Sequence, residues 1–239
     1  MRKRIKIILI CIALALGLLI LIAGGFGLRF YLTTRSMSPA ETSRINDTVY
    51  CIRDKFVNAY LFRGKNGFLL VDAGFDETSF KTELGKLGIT PAQISTLLLT
   101  HTDGDHIGAI GLLKTPRIYM QKEEEQMING KKGKFFLYHY RWKFGPYRLL
   151  SDKDTLTIDG LKIKIFHTPG HTPGSSCYQI GNDYLATGDN LAYKNGKFEH
   201  FIDFFNMNTA EQEASLKTLP ALNSIKYILT GHHGIIKSF

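Results

Sequence analysis

The stretch Thr100-His101-Thr102-Asp103-Gly104-Asp105-His106 decides how the rest of this sequence is interpreted. It follows the apolar run Thr96 to Leu99, which has the composition of a buried strand, and it places four metal-binding side chains within six positions. A glycine-bearing loop after a strand can turn these side chains toward one point, which a continuous strand or helix does not allow. Taken alone, the stretch fits an ordinary Asp-Gly-Asp turn equally well.

Three further segments carry the same kinds of side chain, each after a predicted strand. They are Thr168-Pro169-Gly170-His171-Thr172-Pro173-Gly174-Ser175, Thr187-Gly188-Asp189 and Thr230-Gly231-His232-His233-Gly234. A divalent ion in a protein needs about four to five nitrogen or oxygen ligands, with an open position for water when the site is catalytic. The four segments together predict a site for two divalent cations.

Predicted strands and helices alternate along the chain, which is typical of an α/β or α+β domain. Candidate strands are Thr48 to Ile52, Ala59 to Phe62, Phe68 to Val71, Thr96 to Leu99, Arg117 to Met120, Leu161 to Phe166, Ser176 to Ile180, Tyr184 to Ala186 and Tyr227 to Leu229. Candidate helices are Glu77 to Leu87, Ile107 to Leu113 and Ala210 to Leu219. The last helix is expected to start with a capping box formed by Thr209 and Gln212.

In this order and at similar intervals, the four segments resemble the metallo-β-lactamase superfamily, whose pattern reads HxHxDH, HTPGHTPGS, GD and GHG. The resemblance extends over nearly all of residues 45 to 235 and includes Val57-Asn58-Ala59-Tyr60-Leu61 and Leu70-Val71-Asp72-Ala73-Gly74. It implies an α/β (α+β) fold, a four-layer αβ/βα sandwich. The metals would lie in a shallow groove at one edge of the two sheets.

The resemblance also implies which side chains bind metal. The implied ligands are His101, Asp103 and His171 for the first ion, Asp105, His106 and His232 for the second, and Asp189 bridging both. His232 is preferred over His233 because it directly follows Gly231, as in the family motif. His167 is expected to be a hydrogen-bonded supporting residue, and His139 and His200 fall outside the motifs.

One position departs from the family pattern, because Asp103 stands where the second His of HxHxDH is expected. A carboxylate still binds zinc at about 2.0–2.2 Å, but it is shorter than imidazole and carries a negative charge. Zinc is therefore the expected metal for both ions, and manganese or iron become alternatives because carboxylates suit harder ions. A half-occupied first site and a metal-free pseudoenzyme are the remaining alternatives.

The chemistry implied by the resemblance is hydrolysis by a metal-bound hydroxide. Two ions about 3.5–4 Å apart would hold it, and Asp105 would orient it and take up its proton. The leading function is a metal-dependent hydrolase of an ester, lactone, thioester or amide bond, with a β-lactam included. The alternatives are a phosphodiesterase, which paired metals serve equally well, and a non-catalytic metal- or ligand-binding module on the same scaffold.

The net charge of +9 is concentrated at the N-terminus, since residues 1–36 contain six basic residues and no acidic one. The rest of the chain has 24 basic and 21 acidic residues, so no nucleic-acid partner is expected. Residues 7–28 are uncharged and long enough, as a helix, to cross a bilayer. The positive-inside rule predicts a cytoplasmic tip at 1–6, a single transmembrane helix at 7–28, a linker at 29–44 and an extracytoplasmic domain at 45–239. Secretion after signal-peptide cleavage is the alternative.

An insertion at about 121–155 interrupts the family pattern. From Lys131 to Arg148 it has six basic residues, seven aromatic residues and no acidic residue. Its aromatics either pack on the sandwich or form a lid or a membrane-facing surface, and Phe198, Phe201, Phe204 and Phe205 would then form the opposite wall. Such walls predict a small-molecule or lipid-like substrate.

Cys51 and Cys177 are expected to be unpaired core residues rather than a disulfide.

Overall fold

A computed structural model describes residues 2–114, 116–134 and 140–237, and it divides the chain into two compact units, Met1–Met37 and Ser38–Phe239. The first unit is the helix α1, Arg2–Thr34. Within it, an 18-residue window of Lys3–Thr34 has a mean hydropathy of 3.2, and the helix is long and apolar enough to cross a membrane once. A signal sequence has the same properties, so the predicted anchor and its orientation stay predictions.

The second unit contains two large β-sheets. The larger sheet has, in spatial order, β1 (Ser43–Arg44), β2 (Val49–Asp54), β3 (Val57–Arg63), β4 (Phe68–Val71), β5 (Ile94–Leu98), β6 (Arg117–Gln121) and β7 (Tyr147–Leu150). The remaining strands are β8 (Thr155–Ile158), β9 (Leu161–His167), β10 (Ser176–Ile180), β11 (Tyr184–Gly188), β12 (Leu191–Lys194), β13 (Lys197–His200), β14 (Tyr227–Thr230) and β15 (Ile235–Lys237). The second sheet has the spatial order β15-β14-β11-β10-β9-β8, and β12 and β13 form a separate hairpin.

Four short helices and several 3-10 turns complete this unit in the described residues. The α-helices are α2 (Glu77–Lys86), α3 (Gly104–Ile107), α4 (Glu125–Ile128) and α5 (Thr209–Leu216). The 3-10 turns are Pro91–Gln93, Ile110–Leu112, Lys122–Glu124, Asp203–Phe205 and Leu222–Ser224.

Three apolar layers hold the sheets and helices together, and alternation along β2 shows how they are divided. Tyr50 and Ile52 face the layer that contains Phe80 and Leu84 of α2. Their neighbours Val49 and Cys51 face the opposite way, into the layer between the two sheets. The third layer lies on the outer face of the second sheet and includes side chains that follow α5. Helix, sheet, sheet and helix thus form four layers, and the predicted αβ/βα sandwich is confirmed.

Nine predicted strands are present, with β4 and β10 at the predicted bounds. The predicted helix from Ile107 to Leu113 is wrong, because α3 already ends at Ile107. The backbone N–H groups of Gly108 and Ala109 instead donate to the carbonyls of Gly74 and Ala73, at 2.7 and 2.8 Å. These contacts tie the loop after the first metal motif to the loop after β4.

The predicted N-terminal cap of α5 also differs from the structure. Asn208, rather than Thr209, is the capping residue, and its side chain accepts a 3.1 Å hydrogen bond from the backbone N–H of Glu211. Gln212 does not reach back to the cap but turns inward and is buried. Its side-chain nitrogen donates to the carbonyl of Asp189 at 2.9 Å.

Both cysteines of the second unit are buried and unpaired, as expected from the sequence. Cys51 lies between the sheets, and Cys177 lies in the layer outside the second sheet.

Candidate metal centre

The predicted metal-binding segments meet at one edge of the sandwich. Two of them follow strands of parallel pairs: the loop from Thr100 to His106 follows β5, which pairs with β4, and the segment around His232 follows β14, which pairs with β11. The carboxyl ends of parallel strands lie at the same edge of a sheet, so Asp189 after β11 arrives beside His232. The segment that carries His171 connects β9 to β10 and completes the set.

Four donor atoms from three of these segments surround one small volume. The Nε2 atom of His232 lies 3.3 Å from Oδ2 of Asp105 and 3.3 Å from Oδ1 of Asp189. The Nε2 atom of His106 lies 3.3 Å from the same Asp189 oxygen and 3.9 Å from Oδ2 of Asp105. Donors placed tetrahedrally at 2.0–2.1 Å from an ion are about 3.3–3.4 Å apart. The spacing of these four atoms, called the second donor group below, therefore fits one divalent ion.

A second set of donors, called the first donor group, consists of His101, Asp103, His171 and the other oxygen of Asp189. Oδ2 of Asp189 lies 3.4 Å from Nε2 of His171 and 3.9 Å from Nε2 of His101. Oδ2 of Asp103 lies 3.0 Å from His171 Nε2 and 3.6 Å from His101 Nε2. The ammonium of Lys134 also lies in this group, where it bonds to Oδ2 of Asp103 and lies 2.9 Å from His171 Nε2.

Three buried donor atoms of the centre have no hydrogen-bond partner among the described residues. They are Nε2 of His101, Nε2 of His106 and Oδ1 of Asp189. Buried polar atoms are normally paired, so unpaired atoms aimed at one another indicate a missing ligand. Imidazole nitrogens and carboxylate oxygens are ligands that zinc accepts, and the residues present therefore fit a divalent metal.

The outer nitrogen of each imidazole is fixed by a neighbouring oxygen. His106 Nδ1 lies 2.9 Å from Oδ2 of Asp72, His171 Nδ1 3.1 Å from Oδ1 of Asn206, His232 Nδ1 2.7 Å from the Phe56 carbonyl, and His101 Nδ1 3.0 Å from the Thr100 hydroxyl. Oxygens of this kind hold a metal-binding imidazole in one orientation and leave Nε2 free to bind. All four side chains are therefore oriented as ligands.

Asp72 is a functional residue that was not assigned a role from the sequence. Besides contacting His106, its carboxylate accepts hydrogen bonds from the backbone N–H and the hydroxyl of Thr100, both at 2.8 Å. Its backbone has φ of +59°, a conformation that Asp tolerates better than most residues. The signal in the sequence was its place directly after a buried strand, the same position that Asp189 occupies in the second sheet.

The charges in the centre shift the acidities of its members. Burial acts to lower the pKa of His232, but the carboxylates of Asp189 and Asp105 outweigh it and raise that pKa to about 10. The pKa of His106 is likewise raised well above its usual value, against its burial, by Asp189, Asp72 and Asp105. Excess negative charge thus draws protons onto the imidazoles, and a divalent cation would displace these protons.

His171 shows the opposite shift. Its burial, together with the nearby ammonium of Lys134, lowers its pKa to about 4. The imidazole is therefore neutral at pH 7. Its Nδ1 hydrogen is directed at Asn206, which leaves a lone pair on Nε2 toward Lys134.

A buried glutamate that the sequence did not single out connects two of the metal-binding loops. Oε1 of Glu124 accepts hydrogen bonds from the backbone N–H and hydroxyl of Thr102, at 2.8 and 2.7 Å. Oε2 accepts from the hydroxyl of Thr172 at 2.6 Å and from the N–H of Gly174 at 3.1 Å. Thr102 follows His101 and Thr172 follows His171, so Glu124 sets the distance between these two imidazoles.

The remaining histidines of the described residues lie outside both donor groups, as expected from the sequence. His139 lies outside the described residues. The side-chain nitrogens of His233 have no partner in the described part of the chain, and neither belongs to a donor group. His167 is hydrogen-bonded to the Pro173 carbonyl at 2.9 Å. His200 pairs on the surface with Asp203.

Aromatic side chains line the centre. The ring of Phe201 lies 5.4 Å from that of His232 and 5.3 Å from that of His171, and Phe56 stacks on His232 at 5.9 Å. Phe201 is only 1% exposed, so it is packed against these two imidazoles and does not form the exposed wall expected from its segment. In the insertion, the aromatics Tyr140, Trp142, Phe144 and Tyr147 pack against the core of the larger sheet. The predicted lid includes residues 135–139, which lie outside the described residues.

Comparisons with known proteins agree with this fold. The sequence model of the metallo-beta-lactamase superfamily matches residues 52–232. A hydroxyacylglutathione hydrolase from Aeromonas hydrophila is 29% identical over 190 residues, covering 77% of this chain and 63% of that protein. One from Xylella fastidiosa is 31% identical over 149 residues, covering 61% of this chain and 48% of that protein. The chain thus spans about half to just under two thirds of these relatives.

Among solved structures, the Rm3 metallo-beta-lactamase superposes with a TM-score of 0.65 at 18% identity, covering 83% of this chain and 81% of the other. At this identity the likeness concerns the fold.

Proposed function

Because the chain belongs to the metallo-beta-lactamase superfamily, we propose that it is a metal-dependent hydrolase of an acyl bond, meaning an ester, lactone, thioester or amide. The observation that carries the proposal is the second donor group, Asp105, His106, Asp189 and His232. Its four donor atoms have the spacing of a zinc coordination sphere, and two of them are buried without a partner.

The residues of the second donor group would hold a divalent metal, with zinc as the expected ion and manganese or iron as alternatives. When bound, such an ion supplies a water molecule of lowered pKa and polarises the bond under attack. Asp72 keeps Nε2 of His106 directed at the ion position, and the Phe56 carbonyl does the same for His232. The second ion predicted from the sequence would be held by the first donor group, and it stays a prediction from the sequence.

Asp105 is the proposed general base. Its side chain is 21% exposed, whereas those of His106 and His232 are 0% and 2% exposed, so it is the member of the group that also borders solvent. A carboxylate in this position can orient a water molecule toward the substrate and accept its proton. The surrounding imidazoles of His106 and His232 outweigh the effect of burial and lower the pKa of Asp105, which keeps its carboxylate ionised.

For the substrate, we propose an acyl thioester or ester with an apolar part. Two relatives are named hydroxyacylglutathione hydrolase, which favours an acyl group carried by sulfur. Phe56, which is partly exposed, stacks on His232 beside the second donor group and would contact the apolar part of such a molecule. We further propose that α1 anchors the chain in a membrane with the second unit outside the cytoplasm, which suits a small-molecule or lipid-like substrate.

The test uses the full chain, purified in a mild detergent, stripped with a chelator and reconstituted with zinc or manganese. It is screened against an acyl thioester, a lactone, nitrocefin and bis-p-nitrophenyl phosphate. We expect acyl-bond hydrolysis that is lost with the chelator and restored by metal. Fastest turnover of the phosphate diester would instead assign a phosphodiesterase, and metal binding without turnover would assign a binding module.

Variants connect that activity to the proposed residues. Asp105→Ala should lower kcat by about 10²–10⁴-fold, the usual contribution of a general base. His106→Ala should abolish metal binding. His200→Ala is the matched control, because His200 pairs with Asp203 away from the centre. Full activity in Asp105→Ala and His106→Ala would refute the proposed site.

A further inference from the structure

The side chain of Lys134 lies inside the centre rather than on its rim. It is 10% exposed, although its segment is rich in lysines that face solvent, such as Lys131 and Lys132. Its ammonium donates to Oδ2 of Asp103 and lies 2.9 Å from Nε2 of His171. These two atoms belong to the first donor group.

The ammonium uses the lone pairs that a metal ion in this group would need. A zinc ion would have to lie about 2.0–2.2 Å from both Asp103 Oδ2 and His171 Nε2. The nitrogen of Lys134 already fills the space between these atoms at hydrogen-bonding distance. Two cations cannot share that space, because the lone pair on His171 Nε2 can be directed at only one of them.

The pairing also gives a physical reason for the aspartate at position 103. An imidazole there would be a neutral metal ligand, whereas a carboxylate supplies the negative charge that an ammonium requires in a buried position. Asp103 and Lys134 therefore complement each other. His171 adds an acceptor atom at Nε2, since its Nδ1 lies 3.1 Å from Oδ1 of Asn206.

We infer that Lys134 takes the place of the first metal ion, so that this chain has one resident divalent ion, in the second donor group, and a built-in cation beside it. This inference rests on the metal binding proposed above, and it replaces the pair of ions expected from the sequence. It also assigns a role to one lysine of the basic insertion. The ammonium keeps a positive charge where the family pattern has metal, and it keeps the first donor group closed to a second ion.

Metal stoichiometry tests the inference without any substrate. The full chain in detergent is stripped, dialysed against excess zinc and then against metal-free buffer, and its zinc content per chain is measured by mass spectrometry. Lys134→Met removes the charge at similar length, and Lys132→Met is the matched control on the exposed part of the same segment. We expect one zinc per chain in the wild type and in the control, and two in Lys134→Met.

A second variant protects the test from a folding defect in the first. The double variant Asp103→His with Lys134→Ala provides a neutral imidazole and removes the cation, and it should also bind two zinc ions. Circular dichroism confirms that each variant is folded. Two tightly bound ions in the wild type, or one ion in both folded variants, would overturn the inference while leaving the proposed hydrolase intact. A wild type that binds no metal would refute the proposed function itself.

Discussion

The carboxylate of Glu124 offers the sharpest test of how the centre is assembled, through the substitution Glu124→Gln. Each of its oxygens accepts two hydrogen bonds, from Thr102 on one side and from Thr172 and Gly174 on the other. A glutamine has the same shape but has one acceptor oxygen and one NH₂ group. Whichever way the amide is turned, the NH₂ group faces two donors.

The cost follows from these contacts. One of the two donors is a hydroxyl, which can rotate and accept from the amide, but the other is a backbone N–H that loses its partner. An unsatisfied buried donor costs about 1–3 kcal/mol, and the loss of charge weakens the remaining bonds, for a total of about 2–4 kcal/mol. At about 2–4 °C per kcal/mol for a domain of this size, the melting temperature should fall by about 4–16 °C.

Thermal unfolding of the metal-free protein, followed by circular dichroism, measures this change. Glu123→Gln is the matched control, because Glu123 is partly exposed and, among the described residues, its carboxylate pairs with Lys122 at 3.7 Å. The control should melt within about 1 °C of the wild type. If Glu124→Gln also melts within about 1 °C of the wild type, Glu124 does not hold the two loops together.

Three further outcomes are expected. Asp72→Asn should weaken zinc binding by about 10–100-fold, measured by competition with a chromophoric chelator, because Asp72 orients His106. Gly231→Ala should abolish zinc binding in the same assay, since its methyl group would lie 2.5 Å from Oδ1 of Asp189. Zinc binding at pH 7 should release protons, seen as buffer-dependent heats in calorimetry. In the metal-free fold the pKa of His232 is raised to about 10, so its proton stabilises that fold fully below the unfolded value of about 6.5. The stabilisation is lost as the pH rises through 10, and the apparent zinc affinity should rise over the same range.

The local sequence was sufficient to predict the strands that are buried on both faces of a sheet. Strands β4 and β10 match their predicted bounds. A short apolar run bounded by Gly, Asn or Pro is too short for a typical helix and is best accommodated as a buried strand. Six of the fifteen strands were missed, because they are short and partly exposed: β1, β7, β8, β15 and the two strands of the hairpin β12–β13. The hairpin did carry a signal, the Asn195-Gly196 turn, in which both residues have positive φ.

The residues that the structure brings together at the candidate site could be predicted from the sequence, whereas their surroundings could not. Histidines and aspartates at strand ends are visible in a sequence, and the structure brings all of the implied ligands into the two donor groups. Glu124 and Lys134 belong to a segment that shows no metal motif. Their roles come from contacts with residues that are 22 to 50 positions away for Glu124 and 31 to 37 positions away for Lys134. No local pattern indicates which of several lysines turns inward.

The two buried thiols of the second unit, Cys51 and Cys177, are not expected to interfere with the metal-binding experiments. Burial raises the pKa of both Cys51 and Cys177 to about 12, so neither forms the thiolate that captures zinc or reacts with oxidants. These two cysteines therefore need no thiol reductant, which would itself chelate zinc, during purification; Cys11 in α1 is exposed. Once the unit is folded, the same burial keeps both thiols out of disulfide exchange.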